Sequence, residues 1–279
     1  MRQLRVPGAA IFLLAAATAG VAQTVFDTTL GESNQKTAEV STQELKHIIK
    51  SGSAVLLDSR PPMEYAVSHI PGALNVAPQP GRPAHIYISD VAEVGRLLGG
   101  AKEKALVLYC NGPFCGKTKR LGTELLGAGF TNVRRYQLGA PGWRTLSGEA
   151  MQTDLTALRY MNRDKTAVWI DAREPAAFKT GTVPGARNIA PSGLRPGKDQ
   201  GVMKQAKDDG RLPMEDHNTR IIVFGSNARD ARAVADAIAS EAFHNVSFIA
   251  EPIEQVQRAA AITGEAANTP QRDIAAHSQ

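Results

Sequence analysis

At 279 residues the chain is longer than one domain usually runs, and it has length for two, each able to bury a core. Its 32 Lys plus Arg stand against 27 Asp plus Glu, and the two signs are interspersed, which excludes the basic stripe that marks nucleic-acid binding. Two cysteines are too few for a disulfide framework and the wrong count for a structural zinc site, so chemistry or a single local disulfide remains.

Arg2 and Arg5 precede an apolar segment, Ala9 to Val21, that closes on Gly20-Val21-Ala22. The segment is shorter than the ~20 residues a membrane-spanning helix needs and ends in a small-x-small site, so residues 1–22 are expected to be a signal peptide. Removing it takes away two arginines and no acids, leaving a net charge of +3. Export to a bacterial periplasm is expected, with no stable membrane insertion after cleavage. Ser41-Thr42-Gln43-Glu44 reads as a capping box opening a helix with Leu45, Ile48 and Ile49 on one face, followed by a short apolar strand, Ala54 to Leu57.

Residues 105 to 117, Ala-Leu-Val-Leu-Tyr-Cys-Asn-Gly-Pro-Phe-Cys-Gly-Lys, are an apolar run that delivers Cys110 into a loop opening a helix. A buried parallel strand reads as such a run, and ligands bind at the C-terminal ends of strands in open α/β sheets. Loop N–H groups and a helix N-terminus favour a thiolate there. Lys117, Lys119 and Arg120 add positive charge. The helix is expected to run through Leu125-Leu126 and to end at Gly127 and Gly129, ahead of a strand near Val133 to Leu138. Gly139, Pro141 and Gly142 predict a turn, with Trp143 as a packing residue. The charged, Gly/Pro-rich span from Pro196 to Asn218 predicts an irregular surface excursion, and residues 264–279 predict a disordered tail.

The chain repeats itself. Leu57-Asp58-Ser59-Arg60 and Ile70-Pro71-Gly72-Ala73-Leu74-Asn75-Val76-Ala77-Pro78 recur 113 positions later as Ile170-Asp171-Ala172-Arg173 and Val183-Pro184-Gly185-Ala186-Arg187-Asn188-Ile189-Ala190-Pro191. Phe130-Thr131-Asn132-Val133 and Phe243-His244-Asn245-Val246 keep that displacement. Leu106 to Cys110 matches Ile221 to Gly225 only with a shift of 115, so the cysteine aligns with a glycine and the segment after it is two residues longer. Two homologous α/β domains are expected, over residues 36–150 and 152–263.

Asp58-x-Arg60 with Glu64-Tyr65, His69-Ile70-Pro71-Gly72-Ala73, and an apolar strand ending in cysteine resemble, in order, the signatures of the rhodanese superfamily. The second copy is similar through Asp171-x-Arg173, Phe178, Val183-Pro184-Gly185-Ala186 and the loop Gly225 to Ala231, without the cysteine. The resemblance implies two tandem rhodanese-like domains, each a parallel sheet of about five strands flanked by helices. It also implies a sulfurtransferase that uses no cofactor and no metal. The sequence departs from the two-domain members in carrying the cysteine in the N-terminal copy, and in a longer loop with a proline and a second cysteine. Phosphatases that resemble rhodanese place an arginine six residues after the nucleophile. Here Gly116 holds that position, and the neighbouring Lys117 lacks the bidentate fork of an arginine.

Cys110 is therefore the expected nucleophile. It takes the outer sulfur of thiosulfate or of a persulfide and passes it to a thiol, sulfite or cyanide. Asn111, Gly112, Phe114, Cys115, Gly116, Lys117 and Thr118 are the candidate substrate-binding residues, with Lys117 and Thr118 meeting the anionic end. Asp58 and Arg60 are expected to form a supporting ion pair, since buried charges are normally paired. Glu64 is read as a surface or pairing residue and His69 as satisfying loop backbone. Four alternatives stay open: a pair cycling between dithiol and disulfide, a Cys115 that resolves an oxidised or persulfidated Cys110, an inert structural disulfide, and a binding protein without catalysis. Gly225 cannot form a covalent intermediate, so the second copy is expected to act as a scaffold, with Arg229 near its loop.

Overall fold

The computed structural model describes residues 24–76, 91–161 and 164–268, with side chains through residue 261. The expected signal peptide lies outside these residues, as do Ala77 and Pro78 of the repeat. No helix among the described residues is long and apolar enough to cross a membrane.

The first repeat runs β1 (Ala38–Glu39), α1 (Thr42–Ser51), β2 (Val55–Asp58), α2 (Pro62–Val67), β3 (Leu74–Asn75), α3 (Val91–Leu97), β4 (Leu106–Tyr109), α4 (Gly116–Gly127), β5 (Val133–Tyr136) and α5 (Gly139–Leu146). The second runs β6 (Met151–Thr153), α6 (Leu158–Met161), β7 (Val168–Asp171), α7 (Pro175–Lys179), β8 (Arg187–Asn188), α8 (Gly201–Asp208), β9 (Ile221–Gly225), α9 (Ala228–Ser240), β10 (Val246–Pro252) and α10 (Ile253–Asn268). Each forms a five-stranded sheet, in the orders β1-β5-β4-β2-β3 and β6-β10-β9-β7-β8. All pairings between these strands are parallel. The two orders are the same topology written twice.

The central strands explain the continuous apolar runs. Side chains alternate between the faces of a sheet, and β4 is covered on both. Val107 and Tyr109 pack with Leu45, Ile48 and Trp143 from α1 and α5, while Leu106 and Leu108 pack with Leu121 and Leu125 from α4. In the second sheet Ile221 and Val223 meet Val234 and Ile238 of α9, while Ile222 and Phe224 meet Ile253 and Val256 of α10. Ser41 caps α1, accepting a hydrogen bond from the Glu44 N–H at 3.2 Å.

The two units are joined through the backbone. His69 and Gln152 exchange N–H to carbonyl hydrogen bonds at 2.8 Å in both directions, and Asp154 N donates to Ala66 O at 2.8 Å. Ala66 and Val67 at the end of α2 pack against the core of the second unit.

Three expectations are corrected. The Gly139, Pro141 and Gly142 segment is not a turn but the start of α5. Pro141 sits in the first helical turn, where its missing N–H has no intrahelical partner in any case, and the fully buried Trp143 anchors the helix to the sheet. The Pro196 to Asn218 span is not irregular throughout, because α8 lies within it. Met203 and Ala206 of α8 are buried with Leu212 against the second core, which outweighs the charge around them. The last helix reaches Asn268, into the expected tail, over an alanine-rich stretch of high helix propensity. Residues 269–279 lie outside the described residues.

Candidate active site

Parallel pairing brings the C-terminal ends of β2, β4 and β5 together, with Asp58 opposite Tyr109 and Tyr109 opposite Tyr136. Cys110 follows directly, 3% exposed, at the centre of that edge. Six residues, 110–115, separate β4 from α4, whereas three, 225–227, separate Phe224 from the start of α9. The extra length lies in the cysteine loop.

The loop is held from below. Ala140 N donates to Cys110 O at 3.0 Å, and Cys115 N donates to Gly112 O at 3.0 Å. Gly112 is buried with φ +105°. Gly139, with φ +62°, lies against the loop so closely that a Cβ there would stand 2.4 Å from Cys110 O and 2.5 Å from Gly112 N. Gly139→Ala is expected to lower stability by about 2–4 kcal/mol through strain and overpacking. Its thermal unfolding should also be accompanied by altered alkylation of the reduced cysteines. A variant that melts with the wild type would remove Gly139 from the support of the loop.

Cys110 and Cys115 are joined as a disulfide, with Cα atoms 6.3 Å apart. Asn111 is exposed, and its side-chain amide donates to Glu64 Oε2 at 2.6 Å, so α2 braces the loop from the side that contacts the second unit. Phe114 is fully exposed at the tip, and Gly116 is exposed as the first residue of α4. Lys117 is partly covered. Burial pulls its ammonium below the ordinary lysine value, and the Glu64 carboxylate acts in the opposite direction. Thr118 faces inward instead of meeting an anion at the loop surface: it is buried, and its hydroxyl donates to Gln137 Oε1 at 3.2 Å. It shares the buried face of α4 with Leu121, Gly122 and Leu125, the i, i+3, i+4, i+7 pattern of a core-facing stripe.

Beneath the loop, Asp58 and Arg60 form a buried pair, with Arg60 Nε at 3.0 Å from both carboxylate oxygens and Nη2 at 2.5 Å from Oδ2. Burial opposes the Arg60 charge, yet the Asp58 carboxylate holds the guanidinium above its ordinary pKa. Arg60 also donates to Ser68 O at 2.6 Å and lies over the Tyr109 ring, 5.5 Å from its centroid. Asn75 ties the strand end with hydrogen bonds to Asp58 O and Arg60 O. The second copy repeats this frame through Asp171, Arg173 and Asn188. Gly225 stands there where the first copy has Cys110.

His69 is 1% exposed, stacks on Tyr65 with centroids 3.9 Å apart, and donates from Nδ1 to Tyr65 O at 2.9 Å. Burial pushes its imidazole down to about 4, below the unfolded value of 6.5. Its contribution is therefore complete above pH 6.5 and lost as pH falls toward 4, a difference of about 3 kcal/mol. Asp154, whose Oδ1 lies 4.0 Å from His69 Nδ1, works with the opposite sign. Burial and the Glu251 charge raise its carboxyl to about 6, so its destabilisation is relieved as pH falls through that value. Asp154→Asn removes the offset and is expected to steepen the loss of stability between pH 7 and 4, read from urea unfolding at several pH values. Parallel curves for the two proteins would sink this account.

Gly139 and Ala140 are not evident as loop supports from local sequence. Their signal is the parallel register: the segment leaving β5 must abut the segment leaving β4.

A rhodanese-like domain model matches residues 41–146 and again 154–259. No curated protein matches the chain at a significant level. Solved structures similar to it include the BH2092 protein from Bacillus halodurans, 25% identical over 42% of this chain and 77% of that chain, with a TM-score of 0.34. A persulfide form of EanB with ergothioneine is 16% identical over 76% of this chain and 59% of that chain, with a TM-score of 0.36. The 3-mercaptopyruvate sulfotransferase SseA from Escherichia coli is 22% identical over 76% of this chain and 97% of that chain, with a TM-score of 0.30.

Proposed function

The chain belongs to the rhodanese-like family, and from that membership we propose that it is a sulfurtransferase whose one nucleophile is Cys110. The observation that carries the reading is position. Cys110 stands at the end of the central buried strand, in a loop that opens α4, while the duplicated frame around Gly225 lacks a nucleophile. The Cys110 thiolate attacks the outer sulfur of thiosulfate or of a persulfide and releases sulfite or a thiol. The resulting Cys110 persulfide then yields its sulfur to a thiol, sulfite or cyanide, with ping-pong kinetics. The N–H groups of the first turn of α4, which have no intrahelical acceptors, and the Lys117 ammonium stabilise the charged sulfur. The second copy is a scaffold that holds α2, and through Glu64 the loop. The leader expected over residues 1–22 sends the chain to the periplasm.

The disulfide between Cys110 and Cys115 favours a second reading, a thiol–disulfide redox module. The oxidised form has no thiolate, so transfer begins only after reduction. The deciding experiment is intact-protein mass spectrometry of the reduced chain after brief exposure to thiosulfate, with peptide mapping. One added sulfur on Cys110 supports transfer. A chain that releases no sulfite and returns to its disulfide supports the redox module.

A further inference from the structure

Resting on the sulfurtransferase reading, we propose that Cys115 is a resolving thiol: it displaces the sulfur carried on Cys110 as sulfide, closing the Cys110–Cys115 disulfide, and a dithiol then reopens the loop.

The loop already has the geometry of the product. The Cα atoms of the two cysteines are 6.3 Å apart, within the span a disulfide bridges, and their sulfurs are bonded with β4 and α4 intact on either side. The backbone between them is fixed by the hydrogen bonds at Cys110 O and Gly112 O and by the close approach of Gly139. The shorter loop of the second copy, Gly225 to Asn227, carries no thiol: Asn227 caps α9 in the position that Cys115 holds before α4. A thiol held on the same loop as a persulfide reacts as an intramolecular partner, with an advantage over thiols in solution that can reach many orders of magnitude.

The chemistry balances in two stages. In the first, the Cys115 thiolate attacks Sγ of the Cys110 persulfide. The Sγ–Sγ bond forms, the bond from Cys110 Sγ to the outer sulfur breaks, and that sulfur leaves with the electron pair as hydrosulfide. The sulfane sulfur is reduced, and the two cysteine sulfurs are oxidised to the disulfide. In the second, one thiolate of the dithiol attacks the loop disulfide, and its other thiol closes the dithiol's own disulfide, returning both cysteines to thiols. With thiosulfate as donor the sum is thiosulfate plus dithiol giving sulfite, hydrosulfide, the dithiol's disulfide and a proton.

Exposure sets where the dithiol attacks. Cys110 is buried and Cys115 half-exposed beside the fully exposed Phe114, so the mixed disulfide forms on Cys115. Cys110 is then the leaving group, as a thiolate at the loop that opens a twelve-residue helix, where positive backbone dipoles favour it.

The test uses the full chain, reduced, freed of reductant, and given one equivalent of thiosulfate without added thiol. The wild type is expected to release close to one sulfide per chain, to lose both thiols and to show the Cys110–Cys115 disulfide on mapping. Cys115→Ser, with Cys115→Ala as a second variant, is expected to hold the added sulfur on Cys110 and to release sulfide at least about tenfold more slowly. Dithiothreitol should restore repeated sulfide release in the wild type. A wild type that keeps its persulfide and releases sulfide no faster than a loaded Cys115 variant overturns the resolving role while leaving the sulfurtransferase reading in place. Cys115 variants and wild type that all take up no sulfur overturn both.

Discussion

Cys110→Ser is expected to take up no sulfur from thiosulfate and to lower sulfite release by at least about a thousand-fold, the scale of losing a covalent nucleophile. A serine hydroxyl at this position stays protonated at neutral pH, whereas the thiol is a nucleophile only as the thiolate that the loop and the N-terminus of α4 favour. The substitution also removes the loop disulfide, so loss of activity alone does not identify the nucleophile. Cys115→Ser loses the same cross-link and supplies the comparison. If loading fails in Cys110→Ser and survives in Cys115→Ser, the loss belongs to the nucleophile and not to the loop's stability. The chain carries a further control within itself, because Gly225 occupies the same place at the end of β9 without a thiol. Mass spectrometry should find no added sulfur on any peptide of the second copy. Sulfur uptake by Cys110→Ser at the wild-type rate would end the assignment.

Much of this arrangement is legible in the chain because it is written twice. The 113-residue displacement pairs Asp58, Arg60 and Asn75 with Asp171, Arg173 and Asn188, and the same hydrogen bonds recur at both sets. The change of displacement at Cys110 marks the longer loop, which is where the structure has it. What local sequence conceals is whatever depends on contact between distant segments. Gly139, Pro141 and Gly142 carry turn chemistry, yet packing of Trp143 and the approach to Cys110 O make them the first turn of a helix. Charge hides α8, whose buried face is only Met203 and Ala206. Thr118 is the instructive case. Its place beside the loop suggests contact with an anion, while its spacing from Leu121 and Leu125 on α4 points to the observed arrangement, a core-facing side chain. The spacing of Cys110 and Cys115 fits either oxidation state, and only the folded loop shows their sulfurs in bonding contact.

Arg60→Ala is expected to cost about 3–5 kcal/mol, because it leaves the Asp58 carboxylate buried without its charge partner. Asp58 is fully buried, and once the guanidinium is gone its partners are neutral: the Arg60 N–H, 2.8 Å from Oδ1, and the Tyr109 phenol. Arg173→Ala poses the same question in a milder setting. The Arg173 side chain is more exposed than that of Arg60, and Asp171 keeps a second donor in the Thr182 hydroxyl, 2.7 Å from Oδ2. The loss at Arg173 should therefore be the smaller of the two. The pH dependence separates a stranded charge from lost packing. A buried carboxylate without its cation has a pKa above that of the unfolded chain, so its destabilisation is present at neutral pH and relieved as pH falls through the raised value. The gap between Arg60→Ala and wild type should narrow between pH 7 and 4 in urea unfolding, whereas a gap due to lost packing alone would stay constant. An Arg60→Ala protein within about 1 kcal/mol of wild type, as for an exposed pair, or one less affected than Arg173→Ala, would refute the ranking. If the ranking holds, the pair is a structural anchor: it fixes the end of β2 beside Tyr109, and so fixes the strand from which Cys110 emerges.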